Sequence, residues 1–330
     1  MAHTGSPTAT TTLTHFIPPY WDQVLGENLY PNLYFYQFGT KRTVPRNFGT
    51  GIKIPRLQKR NIVRGIDTAS EGRVITTCAI SDQWISGSMN QYAGAYKHAD
   101  VLIMTALSDV VELSLIDIAR DIARRMDRTI RNALSGIGSA IYGDAAQTAA
   151  HISSVRDTDI MHASQIIKGV VTLDAADNPR PPDNHYPVII HPTTVYDLQT
   201  SLSGGAWLDV TKYTEGNADR IYIGEVGRMY GARFVTSSNI RRAVMSEGNS
   251  GVREYMFAPD AYYVTEISDM TARTYVKQLG SAGAADPVNQ YATVGAKVYF
   301  GVVPATWTSA ETRLVRFEHG TTIAGGDTTA

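Results

Sequence analysis

One cysteine, Cys78, stands in 330 residues. A single thiol excludes an intramolecular disulfide and any zinc site built from several cysteines. It points to synthesis in a reducing compartment, with Cys78 read as a half-buried strand residue. Charge is scarce as well. Asp, Glu, Lys and Arg make up 18% of the chain, below the quarter usual for a globular domain, and the formal net charge is −1. That near balance excludes a surface that is basic all over, though not a local basic face. No window approaches about 18 uninterrupted apolar residues, so no membrane-spanning helix is expected. The opening residues MAHTGSPTATTTLTHF lack a basic region followed by an apolar run, and are not read as a signal peptide.

Catalytic signatures are missing too. There is no GxSxG nucleophile elbow and no HExxH pair. Gly224 and Gly227 follow an apolar run, but the strand-like RMYGARFV comes next. A phosphate loop needs Lys-Ser/Thr or a helix there, so these glycines are read as turn residues. Eight histidines (His3, His15, His98, His151, His162, His185, His191 and His319) form no recognisable ligand set; His98 with Asp100 and His185 with His191 come nearest. No catalytic, cofactor-binding or metal-binding residue is assigned, and no cofactor is expected.

What is present is interface chemistry. The chain has 43% hydrophobic residues and 18 tyrosines, and tyrosine suits surfaces that are buried by partners. Residues 1–14 are small and polar. Residues 15–46 are dense in aromatics, including Tyr20, Trp21, Tyr34 and Phe35, and are broken by Pro18, Pro19 and Pro31. This pattern reads as an extended arm that wraps a neighbouring surface. Removing residues 15–38 is then expected to leave a folded subunit that assembles poorly. Residues 47–100 read as strands around a polar tip, DTASEG, which is the pattern of a long hairpin. An isolated hairpin is marginal, so it is expected to lean on another chain. Lys53, Arg56, Lys59, Arg60 and Arg64 make it the most basic stretch, suited to acidic patches on a neighbour or to nucleic acid.

The longest helical signal is Ser114 to Ser135, about 30 Å long. Leu115, Ile118, Ala119, Ile122, Met126, Ile130, Ala133 and Leu134 recur at three- and four-residue steps, giving one apolar stripe. Ser114 is the expected cap, after one or two helical turns at residues 107–113. Arg120, Arg124, Arg128 and Arg131 are expected to form ion pairs with Asp117, Asp121 and Asp127. A second helix is expected over Asp157–Leu173. A third is expected after His191-Pro192, capped by Thr193 or Thr194. Strand-like runs follow to residue 319. Strands, helices and strands again make the fold class α+β. A soluble α+β enzyme is the weakest reading, because no motif supplies it with a site.

Five stretches then carry a resemblance. LYFYQFGTKRTVPRNFGTGIKIPRL, ALSDVVELSLIDIARDIARRMDRTIRNAL, YPVIIHPTTVYDL, IYIGEVGRMYGARFVTSSN and DPVNQYATVGAKVYFGV resemble, in that order, the major capsid proteins of tailed double-stranded DNA phages. The N-four-type branch is the nearest. The resemblance spans residues 30–318. It departs at the hairpin tip, where Ala69-Ser70-Glu71-Gly72 stands in place of a Leu-Thr-Glu-Gly-type stretch.

The resemblance implies the Hong Kong ninety-seven-type fold. Residues 1–46 would be the N-arm and 47–100 the E-loop hairpin. Residues 101–180 would be the peripheral domain with its spine helix, and 181–285 the axial domain. Residues 286–330 would return to the peripheral domain and end in the tail. The implied role is structural and not enzymatic. Hexamers and pentamers would build an icosahedral shell around DNA, in the virion and, during assembly, in the host cytoplasm. Implied partners are other copies of the chain, portal, scaffold and decoration proteins, and DNA bound without sequence preference; no membrane is involved. An encapsulin-like compartment holding cargo enzymes is the alternative. Ile118, Ile122, Met126 and Ile130 would form the spine-helix core, Tyr20, Trp21, Tyr34 and Phe35 the inter-subunit arm, and Lys53, Arg56, Lys59, Arg60 and Arg64 the hairpin contacts. Some shells of this type crosslink a hairpin lysine to a neighbour's asparagine. Lys53 or Lys59 with Asn289 or Asn178 are the residues available here.

Overall fold

The computed structural model describes residues 33–57, 82–107, 109–143, 155–156, 158–201, 225–244, 250–268, 272–281, 288–306 and 312–322. In chain order these form a 3-10 turn (Tyr36–Phe38), then β1 (Thr40–Val44), β2 (Gly51–Leu57), β3 (Asp82–Ser88) and β4 (Asn90–Ala99). Two helices follow, α1 (Asp100–Thr105) and α2 (Val110–Leu134), then β5 (Ser139–Tyr142), α3 (Ala163–Ala175), β6 (Tyr186–Ile190) and α4 (Pro192–Ser201). The remainder is strand: β7 (Glu225–Met229), β8 (Ala232–Thr236), β9 (Arg241–Val244), β10 (Ser250–Phe257), β11 (Tyr262–Ile267), β12 (Ala272–Lys277), β13 (Tyr291–Pro304) and β14 (Leu314–His319).

Helix α2 runs for 25 residues, about 37 Å. It begins earlier than its apolar stripe suggests. Asp109 caps it, its carboxylate accepting the N–H groups of Val111 and Glu112 at 2.9 and 3.3 Å. The cap is therefore not Ser114, and residues 110–113 are the first turn of this same helix. Ser114 is buried inside it, where its hydroxyl donates to the Val110 carbonyl and meets His98 Nε2, both at 2.7 Å. Ile118, Ile122, Met126 and Ile130 are all buried, packed with Val294, Ala296, Val298 and Phe300 of β13. Strand β13 alternates buried and part-buried residues along its length, as the two-residue period of a strand beneath a helix requires.

Three sheets organise the chain. In the first, β1, β11, β13 and β12 lie in that order, with β4 along the other side of β13; only the β1–β11 pair is parallel. The second runs β5-β14-β10-β6-β8-β7, with β9 also on β10. The third is the β2–β3 hairpin. The grouping expected from sequence shifts accordingly. Strand β4 leaves the hairpin and pairs with β13 from Ala99↔Tyr291 to Asn90↔Phe300. Residues 181–285 divide, since β11 and β12 join the sheet beneath α2 while β6 to β10 form the second sheet. Strand β14 joins that second sheet and does not lie beside α2.

Helix α3 starts at Ala163, six residues later than expected; Gln165 and His162 close a capping box there. Its Ile166, Val170 and Leu173 pack on one face of the second sheet, with Val188, Ile190, Phe234, Met256, Val315 and Phe317. The other face takes part in the core beneath α2 through Ile189, Tyr255, Phe257 and Leu314. Alternate residues of β10 therefore serve two cores. Helix α4 begins with Pro192 at its first position, where a missing N–H costs nothing. Thr193 and Thr194 consequently lie inside the helix instead of capping it.

Candidate assembly surfaces

Antiparallel pairing holds the hairpin from Gly51↔Ser88 to Leu57↔Asp82. Its base rests on its own subunit, a support that the expectation of contact with another chain did not include. Ile54 and Ile85 are buried against Tyr263 and Val303. The approach is close: a Cβ on Gly87 would come within 2.3 Å of a Val303 methyl. Lys53 stands on the exposed side with its ammonium 3.9 Å from the centroid of the Trp84 ring. Trp84 is itself 57% exposed. Arg56 is half-buried on the same strand. Lys59, Arg60 and Arg64, the polar tip and Cys78 lie outside the described residues. Of the crosslinking candidates, Asn178 donates its amide to the carbonyls of Leu173 and Thr312 at 2.9 and 2.7 Å. Asn289 takes a left-handed backbone conformation, φ 56°.

Only residues 33–46 of the arm are described; Tyr20 and Trp21 lie outside. The described part is fastened to its own chain. Leu33, Phe35 and Tyr36 are buried in the α2 core. Phe35, expected to reach a neighbour, has no exposure. Its ring meets Tyr255 and Phe257 edge-on at 5.9 and 6.4 Å, and Phe38 stacks on Phe257 at 6.0 Å. The carbonyl of Phe35 accepts the Tyr262 hydroxyl, and the Tyr36 hydroxyl donates to Glu266. Tyr34 is half-buried, with its backbone held.

What holds that backbone is Asp127. Its carboxylate accepts the N–H groups of Tyr34 and Phe35 at 2.8 and 3.2 Å. A buried helical side chain thus satisfies the free N–H groups at the head of the Tyr36–Phe38 turn. Burial pushes the Asp127 carboxyl up to about 7, against the lowering pull of the backbone N–H groups and of Arg131. The ion pairs expected for Asp127 are absent, since it is 1% exposed and faces the arm. Its position offered a signal. Asp127 lies four residues from Ala123, three from Ile130 and seven from Leu134, inside the apolar stripe.

A second buried polar cluster lies where α4 meets β10 and β14. Glu254 accepts the His191 N–H and the Thr194 hydroxyl at 2.8 and 2.6 Å. Its other oxygen lies 3.2 Å from His319 Nε2, and His319 Nδ1 lies 2.7 Å from the Gly320 carbonyl. Burial acts to lower the His319 pKa, yet the Glu254 carboxylate and the Gly320 carbonyl hold it above the usual value. Asp197 accepts the hydroxyl and N–H of Thr322. A hydroxyl, a carboxylate and an imidazole are together here. However, the hydroxyl and the imidazole both face the carboxylate, so no base is aimed at a nucleophile. Thr194, Asp197, Glu254 and His319 are all buried, and the cluster ties the end of β14 to α4. Nothing in the sequence linked residues 191, 254 and 319. Among the described residues no group of three His, Cys, Asp or Glu could hold a metal, and no helix is long and apolar enough to cross a membrane.

Solved structures share this fold. The chain is similar to the capsid of Ralstonia phage GP4, with TM-score 0.68 and 12% identity, covering 90% of this chain and 93% of that one. It is similar to the capsid of cyanophage Pam1, with TM-score 0.65, 11% identity and coverage of 88% and 92%. The capsid of cyanophage P-SCSP1u matches at TM-score 0.59 and 14% identity, over 88% and 89%. Neither a protein-family model nor a curated protein matches the sequence. The fold is therefore the Hong Kong ninety-seven-type capsid fold, with mixed helices and sheets of the α+β class.

Proposed function

We propose that this chain is the major capsid protein of a tailed double-stranded DNA phage, a subunit that assembles with its own copies into an icosahedral shell. The observation that carries this reading is the coextensive match to solved capsids, about nine-tenths of both chains in the case of phage GP4. A hairpin whose base is anchored while Trp84 stays exposed suits contact between neighbouring subunits. Modest contacts repeated around a closed lattice add up to a stable particle. The subunit's role is mechanical, and its polar clusters serve packing instead of turnover. Pentamers and hexamers are the proposed capsomers. The peripheral unit is the α2 sheet, and the axial unit is the second sheet with α3 and α4. Portal, scaffold and decoration proteins are the proposed further partners. Electron microscopy of the purified full-length protein or its particles should show closed shells. A species that stays monomeric under all conditions would overturn the reading. Particles filled with enzyme and free of nucleic acid would point instead to a cargo compartment.

A further inference from the structure

By sequence, three aspartates accompany the arginines of α2; among the described residues only one of them pairs with an arginine. Arg120, Arg124 and Arg128 lie on the side of α2 turned away from β13, with Arg120 and Arg124 exposed, while Arg125 lies over the Tyr92 ring of β4, 5.9 Å from its centroid. Of the three aspartates expected to pair with them, one is withdrawn from the face and one is hydrogen-bonded to a tyrosine while keeping its charge. Asp127 is buried under the arm, and Asp117 accepts the Tyr96 hydroxyl at 2.5 Å. Among the described residues, only Asp121 of the three forms an ion pair with an arginine, at 3.8 Å from Arg124. Among the described residues, Arg120 and Arg128 form no ion pair. Arg131 turns inward to the Asn239 carbonyl at 2.9 Å.

We propose that this arginine face of α2 is the surface that meets the sugar–phosphate backbone of the packaged double-stranded DNA, without sequence preference. The proposal rests on the shell reading above and names the side of the subunit that looks inward. Arg120, Arg124 and Arg128 recur every four residues, so they form a strip about 12 Å long at 1.5 Å rise per residue. Duplex DNA presents one negative charge per about 1.7 Å of its axis, so such a strip always faces several phosphates, whatever the base sequence. Guanidinium groups suit that partner because their planar donors pair with phosphate oxygens.

The opposite side of the same sheet carries cations as well, but they are placed differently. Lys97 lies 3.3 Å from the Tyr291 ring centroid, and Lys297 lies 4.9 Å from that of Tyr275. The hairpin base packs on that side, over Tyr263 and Val303. The two sides of the subunit therefore differ, with the hairpin and aromatic-engaged lysines on one and the strip of Arg120, Arg124 and Arg128 on the other.

Two full-length variants test this, R120Q/R124Q/R128Q and K97Q/K297Q. Each is compared with the parent for shell formation by electron microscopy. Dissociated subunits are then titrated with a random-sequence DNA duplex over a range of salt. The arginine variant should form shells, but its slope of log affinity against log salt should be shallower by roughly 0.9 per arginine removed. The lysine variant should keep the parent slope. An unchanged slope in the arginine variant, or a loss confined to the lysine variant, overturns the proposal. An arginine variant that binds DNA as the parent does yet forms no shells also overturns it, and marks the face as a protein contact. If the parent itself forms no shells, the shell reading falls, while the slopes still decide whether this face binds polyphosphate. On unaltered particles, a small dicarbonyl reagent should modify Arg120, Arg124 and Arg128 less when DNA fills the shell than after it is emptied. Equal modification in the two states counts against the proposal without requiring any variant to fold.

Discussion

Asp127 is a carboxylate set among methyl groups. Its carboxyl titrates near 7 in the folded chain, against about 4 in an unfolded one. The folded state thus holds the proton more tightly, so stability from this residue is greatest below about pH 4 and falls as pH rises toward 7. The full span corresponds to about 3–4 kcal/mol. D127N removes the titration while keeping one acceptor for the arm. Thermal melts of the parent between pH 4 and 7 should decline more steeply than those of D127N; parallel curves would show that the carboxyl does not titrate there. Ile122 tests the stripe itself. It is 5% exposed, and Ile122→Asp puts a charge into the α2 core at a cost of several kcal/mol. Folded, soluble subunits should be lost, and a normal yield of particles from that variant would contradict the burial.

At the scale of elements, the arm changes its role most. Its sequence looks like a strap for a neighbour, but residues 33–38 fill the joint between α2, β10 and β11. The segment is short, and its aromatic rings supply core volume that neither sheet can provide. Phe35→Ala should cost about 3–5 kcal/mol in denaturant unfolding, as large-to-small changes at fully buried sites do. Deleting residues 15–38 should therefore unfold the subunit, whereas deleting 15–32 should leave a folded chain. Circular dichroism of the two truncations separates these outcomes, and a folded product from the longer deletion would return residues 33–38 to an inter-subunit role. The hairpin shows the same economy at its base. Ile54 and Ile85 anchor it at home, and that fixes its direction while Trp84 remains on the surface.

In the whole molecule, two cores are coupled through one sheet. Strand β10 sends Tyr255 and Phe257 into the core beneath α2, and Met256 into the core beneath α3. Strand β14 lies between β5 and β10, so the last of the described strands is internal in space. The Glu254–His319 contact and the hold of Asp197 on Thr322 pin its end. A chain ended after residue 306 should lose the second core outright. Hydrogen exchange should then show β6, β8 and β10 unprotected; retained protection there would mean that β14 is dispensable. Between the usual histidine pKa and the raised one of His319, rising pH removes stability, in the same direction as Asp127 at lower pH.

By itself the sequence determined what local periodicity and composition can carry. The stripe of Ile118, Ile122, Met126 and Ile130 depends only on the 3.6-residue turn. The hairpin strands flank a polar tip. The five ordered stretches pointed to the capsid fold that the comparison with solved shells supports. Tertiary structure alone decided the rest, because each remaining feature depends on residues far apart in the chain. Asp127 meets Tyr34 and Phe35 across more than 90 residues, and Glu254 meets His319 across a strand pair. Strand β14 leaves α2 for the second sheet, and strand β4 leaves the hairpin for β13. The arginines of α2 show the difference most clearly. A helical wheel pairs them with three aspartates, and folding draws Asp127 under the arm, so that among the described residues only Arg124 keeps an aspartate partner on that face.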